Sequence, residues 1–165
     1  MQTISLRKAI SLRRAKPNDF EVFKKLNDYD YQLLYSRSDS DKNEELSEEA
    51  KKIIEYYALD TRPSDPRELF DNNMKNMFII EVDEKTSGYI CVSGRKNIKI
   101  TDMAISDFSI LGELYLSRIL HCLSAATKAD SFWLFCFNKG VAGIFRRIGF
   151  RTRDACFTLE RKNEG

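Results

Sequence analysis

Histidine, proline and long apolar runs are scarce in this chain, and neither sign of charge dominates it. One histidine, His121, stands among 165 residues, and the four cysteines (Cys91, Cys122, Cys136 and Cys156) are too far apart to form a close ligand pair. That argues against a zinc site, whose ligands come in short-spaced pairs. It also disfavours a cysteine–histidine nucleophile, since a packed or solvated helical histidine is far commoner. Cysteines scattered singly over apolar stretches are the pattern of buried, reduced thiols, which fits the cytoplasm. No uncharged apolar run approaches the roughly 18 residues of a membrane span. The charged start (Arg7, Lys8, Arg13, Arg14) lacks the apolar core of a signal peptide. A soluble, cytoplasmic protein is therefore expected. The net charge of +2 is too small to argue for nucleic acid. Basic residues do gather at 7–16 and 146–153, but without the interleaved aromatics of single-strand binders.

What is present is ordinary globular material, 42% hydrophobic and 32% charged. A chain of this length buries roughly 70% of its unfolded surface and is read as one domain over residues 1–165. "ISLRR" alternates as a half-buried strand. Pro17, Asp19 and Glu21 then open a helix that runs to about Asn27 on Phe20, Phe23 and Leu26. An acidic, tyrosine-containing stretch follows, with an amphipathic helix expected over 45–57 and a break at Pro63 and Pro66.

From residue 77 the period changes from 3.6 to 2. "MFIIEV" and "SGYICVSG" predict two strands joined by a loop of about five residues, "DEKTS", and "NIKITDMAI" predicts a third. "ILGELYLSRILHCLSAATKA" predicts a long helix, apolar on several faces and therefore mostly buried. "SFWLFCF" has the unbroken apolar character of a strand covered on both sides. "NKGVAGIFRRIGF" predicts a short helix capped by Asn138, packed through Val141, Phe145 and Ile148, and stopped by Gly149. "DACFTLER" predicts the last strand. The fold class is therefore α/β (α+β), with a mixed central sheet of six to seven strands flanked by helices. A strand, helix, strand succession near its middle should give a parallel crossover.

With that order in hand, the chain resembles the GCN5-related N-acetyltransferase (GNAT) superfamily over roughly residues 8 to 162. "ITDMAI" resembles the family's strand I-x-D-L-A-V, and residues 138–150 resemble its late motif N-x-x-A-x-x-L-Y-x-x-x-G-F, in register. The resemblance implies an acyl-CoA-dependent N-acetyltransferase, with acetyl-CoA as co-substrate and a small-molecule or peptide amine as acceptor. It implies a gap between two parallel strands that admits the pantetheine arm. The backbone around Met103 would polarise the thioester carbonyl, and Ala104 and Ile105 would hold the arm. The turn Ile110, Leu111, Gly112, Glu113, Leu114 and Tyr115 would face the pyrophosphate, and Asn138 and Phe145 would lie near the arm. It implies no metal, and a homodimer is left open.

The chain departs from the family at two places. The phosphate-binding turn usually reads R/Q-x-x-G-x-G/A, because small residues let backbone N–H groups approach an anion. Here Ile110 stands at the basic position, Glu113 and Tyr115 at the glycine positions, and Asp107 adds negative charge. Phe145 stands where many members carry a tyrosine that protonates the leaving thiolate. The base candidates are Asp102 and Glu81; strand alternation sets Asp102 opposite the face of Lys99, Thr101 and Met103. The alternative to an enzyme is a catalytically impaired module that binds a CoA compound or a protein partner. The acidic segment 28–74 would suit a cationic acceptor, or would only solvate a loop and helix.

Overall fold

The computed structural model describes residues 8–28, 31–34, 48, 65–152 and 158–163. The helix expected over 45–57 lies outside them apart from Glu48, as do Cys156 and the first residues of the last expected strand. The described strands form one seven-stranded sheet in the order β1-β2-β3-β4-β5-β7-β6. These are β1 Ile10–Arg14, β2 Met77–Val82, β3 Lys85–Ser93, β4 Asn97–Ile105, β5 Ser131–Phe135, β6 Arg151–Thr152 and β7 Thr158–Lys162. Four described helices flank it: α1 Phe20–Leu26, α2 Pro66–Asn73, α3 Glu113–Thr127 and α4 Lys139–Arg147. None of them is long and apolar enough to cross a membrane.

Neighbouring strands run antiparallel except β4 and β5, which are parallel and joined through α3. Each side of the sheet carries its own core. Phe78, Ile80, Ile90, Ile98, Ile100, Met103, Ile105, Phe132 and Leu134 pack with α3 and α4. Ile79, Tyr89, Cys91 and Ala104 pack with Phe23 and Leu26 of α1 and Leu69 and Phe70 of α2. There the rings of Phe23, Phe70 and Tyr89 meet at centroid distances of 5.3 Å and 4.9 Å. Arg13 on β1 forks onto Asp19 with two 2.8 Å bonds and reaches Glu81 at 2.9 Å, fixing the start of α1 against the sheet edge.

Several expectations need correction. The β2–β3 loop is a two-residue turn, not five: Val82 pairs with Lys85, and Asp83 and Glu84 both have positive φ (50° and 69°). Two left-handed residues in succession match the right-handed twist of a hairpin, and aspartate adopts that conformation more readily than most residues. Pro66 does not merely end a helix; with Asp65 accepting the Arg67 N–H it begins α2. The long helix starts at Glu113 and buries one stripe, Leu116, Ile119, Leu120 and Leu123, while Leu114 is 48% exposed. In β5 only Phe132 and Leu134 are buried, and Trp133 and Phe135 are half-buried.

The short helix behaves as its sequence predicts. Asn138 Oδ1 accepts the Val141 N–H at 3.1 Å. Gly149 (φ 107°) turns the chain so that the Phe150 N–H reaches the Phe145 carbonyl at 3.0 Å. The Phe145 and Phe150 rings then stack edge to face.

Gly88 permits the close approach of β3 to β4: a Cβ there would lie 2.3 Å from the Ala104 carbonyl oxygen. Backbone cannot yield as a side chain can, so Gly88→Ala should lower stability by about 3 kcal/mol. Chemical denaturation measures it, and a change below about 0.5 kcal/mol would contradict this packing.

Candidate active site

β4 and β5 are paired at only three rungs, Asn97↔Ser131, Ile98↔Phe132 and Lys99↔Trp133. Beyond Lys99, β4 keeps β3 on its other side as far as Gly88↔Ile105. Beyond Trp133, β5 keeps β7 through Leu134↔Leu159 and Phe135↔Thr158. A wedge therefore opens between two parallel strands at their carboxyl ends. In open α/β sheets that is where ligands bind.

The divergence has a local cause in β4. Cys91 faces Asp102 and Val92 faces Ile100, so Thr101 is an extra residue, a bulge. Bulges bend the strand and increase its twist. The bulge also resets which side chains share a face, and this overturns the alternation expected from sequence. Met103 joins Ile98 and Ile100 in the α3/α4 core. Asp102 turns to the opposite side, where Tyr89 of the α1/α2 core reaches it.

Asp102 is 7% exposed, and its carboxylate accepts three donors: the Gln32 Nε2 amide, the Tyr89 hydroxyl at 2.9 Å and the Met103 N–H at 2.9 Å. It is a carboxylate held by three donors, one fewer than the roughly four it can accept. Glu81 lies on β2, two strands from the wedge, paired with Arg13. The structure thus does not bring the two base candidates together.

The turn after β4 satisfies most of its own backbone. Asp107 accepts the Ser109 N–H at 3.0 Å, and the Ile110, Leu111 and Gly112 N–H groups go to carbonyls of Asp107, Phe108 and Ile110. Ile110 is fully buried, a core anchor at the position where the family carries a basic side chain. Asp107 bonds Ser109 and the Lys8 ammonium (3.1 Å), contacts that hold its pKa below the usual aspartate value. Glu113 pairs with Arg147 at 3.1 Å. Gly112 offers no side chain to cap α3, so the N–H groups of its first turn, from Glu113 to Tyr115, have no side-chain acceptor. These donors form the positive end of the helix dipole and suit an anion.

Phe145 is fully buried against Phe150, so its ring serves the core. Asn138 spends its side-chain oxygen on the α4 cap.

Lys99 was not singled out by sequence for any role, yet it sits on the last rung before the strands part. Its ammonium lies 5.0 Å from the Trp133 ring centroid and 4.8 Å from that of Phe135. Burial lowers its pKa from 10.5 to about 8, while the electron-rich ring faces favour the cation and oppose that shift. The signal in the sequence was a lysine at alternating spacing from apolar strand residues.

Neither a family model nor a curated protein matches this sequence. Solved structures do match its fold. A GNAT-family acetyltransferase from Streptococcus agalactiae superposes with a TM-score of 0.62 at 13% identity, over 94% of this chain and 96% of its own. The PaiA N-acetyltransferase from Thermoplasma acidophilum, in complex with coenzyme A, gives 0.58 at 13% identity over 94% and 99%. N-acetylglutamate synthase from Neisseria gonorrhoeae, complexed with coenzyme A and N-acetyl-glutamate, gives 0.59 at 17% identity. That match covers 95% of this chain but only 36% of the synthase. The chain has the GCN5-related N-acetyltransferase fold.

Between pH 8 and 10.5 the folded state should hold Lys99 neutral while the unfolded chain keeps it charged. Native stability relative to Lys99→Met should therefore rise with pH across that window. Denaturation of both proteins at several pH values measures it, and a pH-independent difference would contradict the buried-amine assignment.

Proposed function

We propose that the protein is an acyl-CoA-dependent N-acyltransferase, using acetyl-CoA as co-substrate and a primary amine as acceptor. The observation that carries the reading is the end of β4–β5 pairing at Lys99↔Trp133. It leaves a strand edge on which an extended, amide-bearing arm can lie. The Ile105 backbone would hold such an arm, and the open first turn of α3 would receive its phosphates. A neutral acceptor amine would attack the thioester carbonyl directly. The new C–N bond forms as the C–S bond breaks, the thiolate leaves, and the amine's extra proton passes to solvent.

The fit is incomplete in two respects. Asp107 and Glu113 set carboxylates beside the proposed phosphate position, each already paired with a cation. Phe145 has no proton for a leaving thiolate and is sealed in the core. These observations favour a second reading, a module that binds a CoA compound without efficient transfer. About two thirds of the acidic segment 28–74, proposed to receive a cationic acceptor, lies outside the described residues. Lys99 on the same side of the sheet as Asp102 would repel such an acceptor at close range.

Calorimetric titration with acetyl-CoA and with CoA should give saturable binding to both, and absence of heat in both would overturn the reading. Acetyl transfer to a panel of amines then separates enzyme from binding module. Asp107→Asn keeps the loop's short cap but removes its charge, and should tighten acetyl-CoA binding about fivefold, the worth of roughly 1 kcal/mol. Unchanged or weaker binding in that titration would place the phosphates elsewhere.

A further inference from the structure

The edge of β4 that faces the wedge is taken at one position by the chain itself. Residues 31–34 cross from β4 to the segment leaving β5. Gln32 bridges Ala104 in antiparallel fashion. The Leu33 N–H donates to the Met103 carbonyl at 3.0 Å, and the Phe137 N–H donates to the Leu34 carbonyl at 2.7 Å. Four residues thus stitch together two strands that have stopped pairing with each other.

The stitch is held from one side by a buried polar cluster. Gln32 uses both ends of its amide: Nε2 donates to Asp102, and Oε1 accepts the Leu34 N–H. Asp102 is held in turn by Tyr89 and by the Met103 N–H. Gln32, Leu33, Leu34, Tyr89 and Asp102 are all buried, at 5%, 3%, 0%, 1% and 7% exposure. A buried carboxylate costs several kcal/mol unless its donors are in place. This one has them, and one of the three comes from the strap.

We infer that residues 31–34 are a displaceable strap occupying the place of an extended amide-bearing ligand on β4, and that Asp102 is the positioning residue that latches it. The inference rests on the acyl-CoA reading above. Chains paired along one sheet are spaced about 4.8 Å apart, and one strand edge accepts one neighbour at a given residue. An arm that pairs with Met103 must therefore take the bond now made by Leu33, and the Met103 N–H must leave Asp102 to meet a ligand carbonyl. Ligand affinity is then reduced by the fraction of molecules in which the strap is closed. This gives Asp102 a purpose other than proton transfer: it sets how readily the β4 edge opens.

The sign of one mutation separates this from a purely structural role. Gln32→Ala removes the latch from the strap side and leaves Asp102 its Tyr89 and Met103 donors. It should bind acetyl-CoA more tightly by about tenfold or more in calorimetry, as the loss of one hydrogen bond to a charged group implies. Asp102→Asn, which weakens the same latch from the strand side, should act in the same direction. Hydrogen exchange on the unmutated protein reads the strap directly: the Leu33 and Leu34 amides should be protected without ligand and should exchange faster with saturating acetyl-CoA. Binding to wild type and Gln32→Ala with equal affinity, or tighter binding to wild type, overturns the strap alone. So does undiminished protection of Leu33 in the saturated protein. No binding by either protein overturns the acyl-CoA reading and the strap together.

Discussion

The extra residue in β4, Thr101, is the constraint on which the site depends. It breaks the β3–β4 register between Asp102 and Ile100, and a bulge bends and twists the strand that contains it. Below it β4 lies parallel to β5 for three rungs. Above it the strands answer to different neighbours, β4 to β3 and β5 to β7. The same residue swaps the faces, sending Met103 to the α3/α4 core and Asp102 toward Tyr89. Wedge and buried carboxylate cluster are thus two results of one insertion.

The separated strands leave backbone polar groups that must be satisfied in a buried setting. The chain does so with residues 31–34 at Met103 and Phe137. At the mouth of the wedge the turn before α3 bonds its own N–H groups and pairs its acids with Lys8 and Arg147. What remains outward-facing is the first turn of α3. A site that satisfies itself in the absence of ligand binds one only by exchange, a distinction that wedge geometry alone does not reveal.

Much of the frame was legible in the sequence. The period-2 runs located β2 and β4 to the residue, and the Asn138 cap with Gly149 located α4 and its stop. The two-residue turn at Asp83–Glu84 was hidden because neither residue is glycine, the usual signal for positive φ. The onset of α2 was hidden because Pro66 breaks a helix from one side and starts it from the other. The bulge at Thr101 left a mark that strict alternation passes over: two polar residues in succession, Thr101 and Asp102, move the apolar phase from Ile98 and Ile100 to Met103 and Ile105, whereas unbroken alternation sets Met103 on the face of Lys99 and Asp102 opposite it. Lys99 was visible as a charge in an apolar strand, but its ring partners arrive from β5, more than thirty residues away. Non-local pairing of that kind is invisible to periodicity.

The central claim is that the β4–β5 wedge is the place where the ligand lies. Backbone amide shifts recorded while CoA is added locate it directly. The largest changes should fall at Ile105, at the first turn of α3 from Glu113 to Tyr115, and at Phe135 to Phe137. Changes confined to the polar groove at the other end of these strands, around Lys96, Asp130 and Arg161, would contradict it.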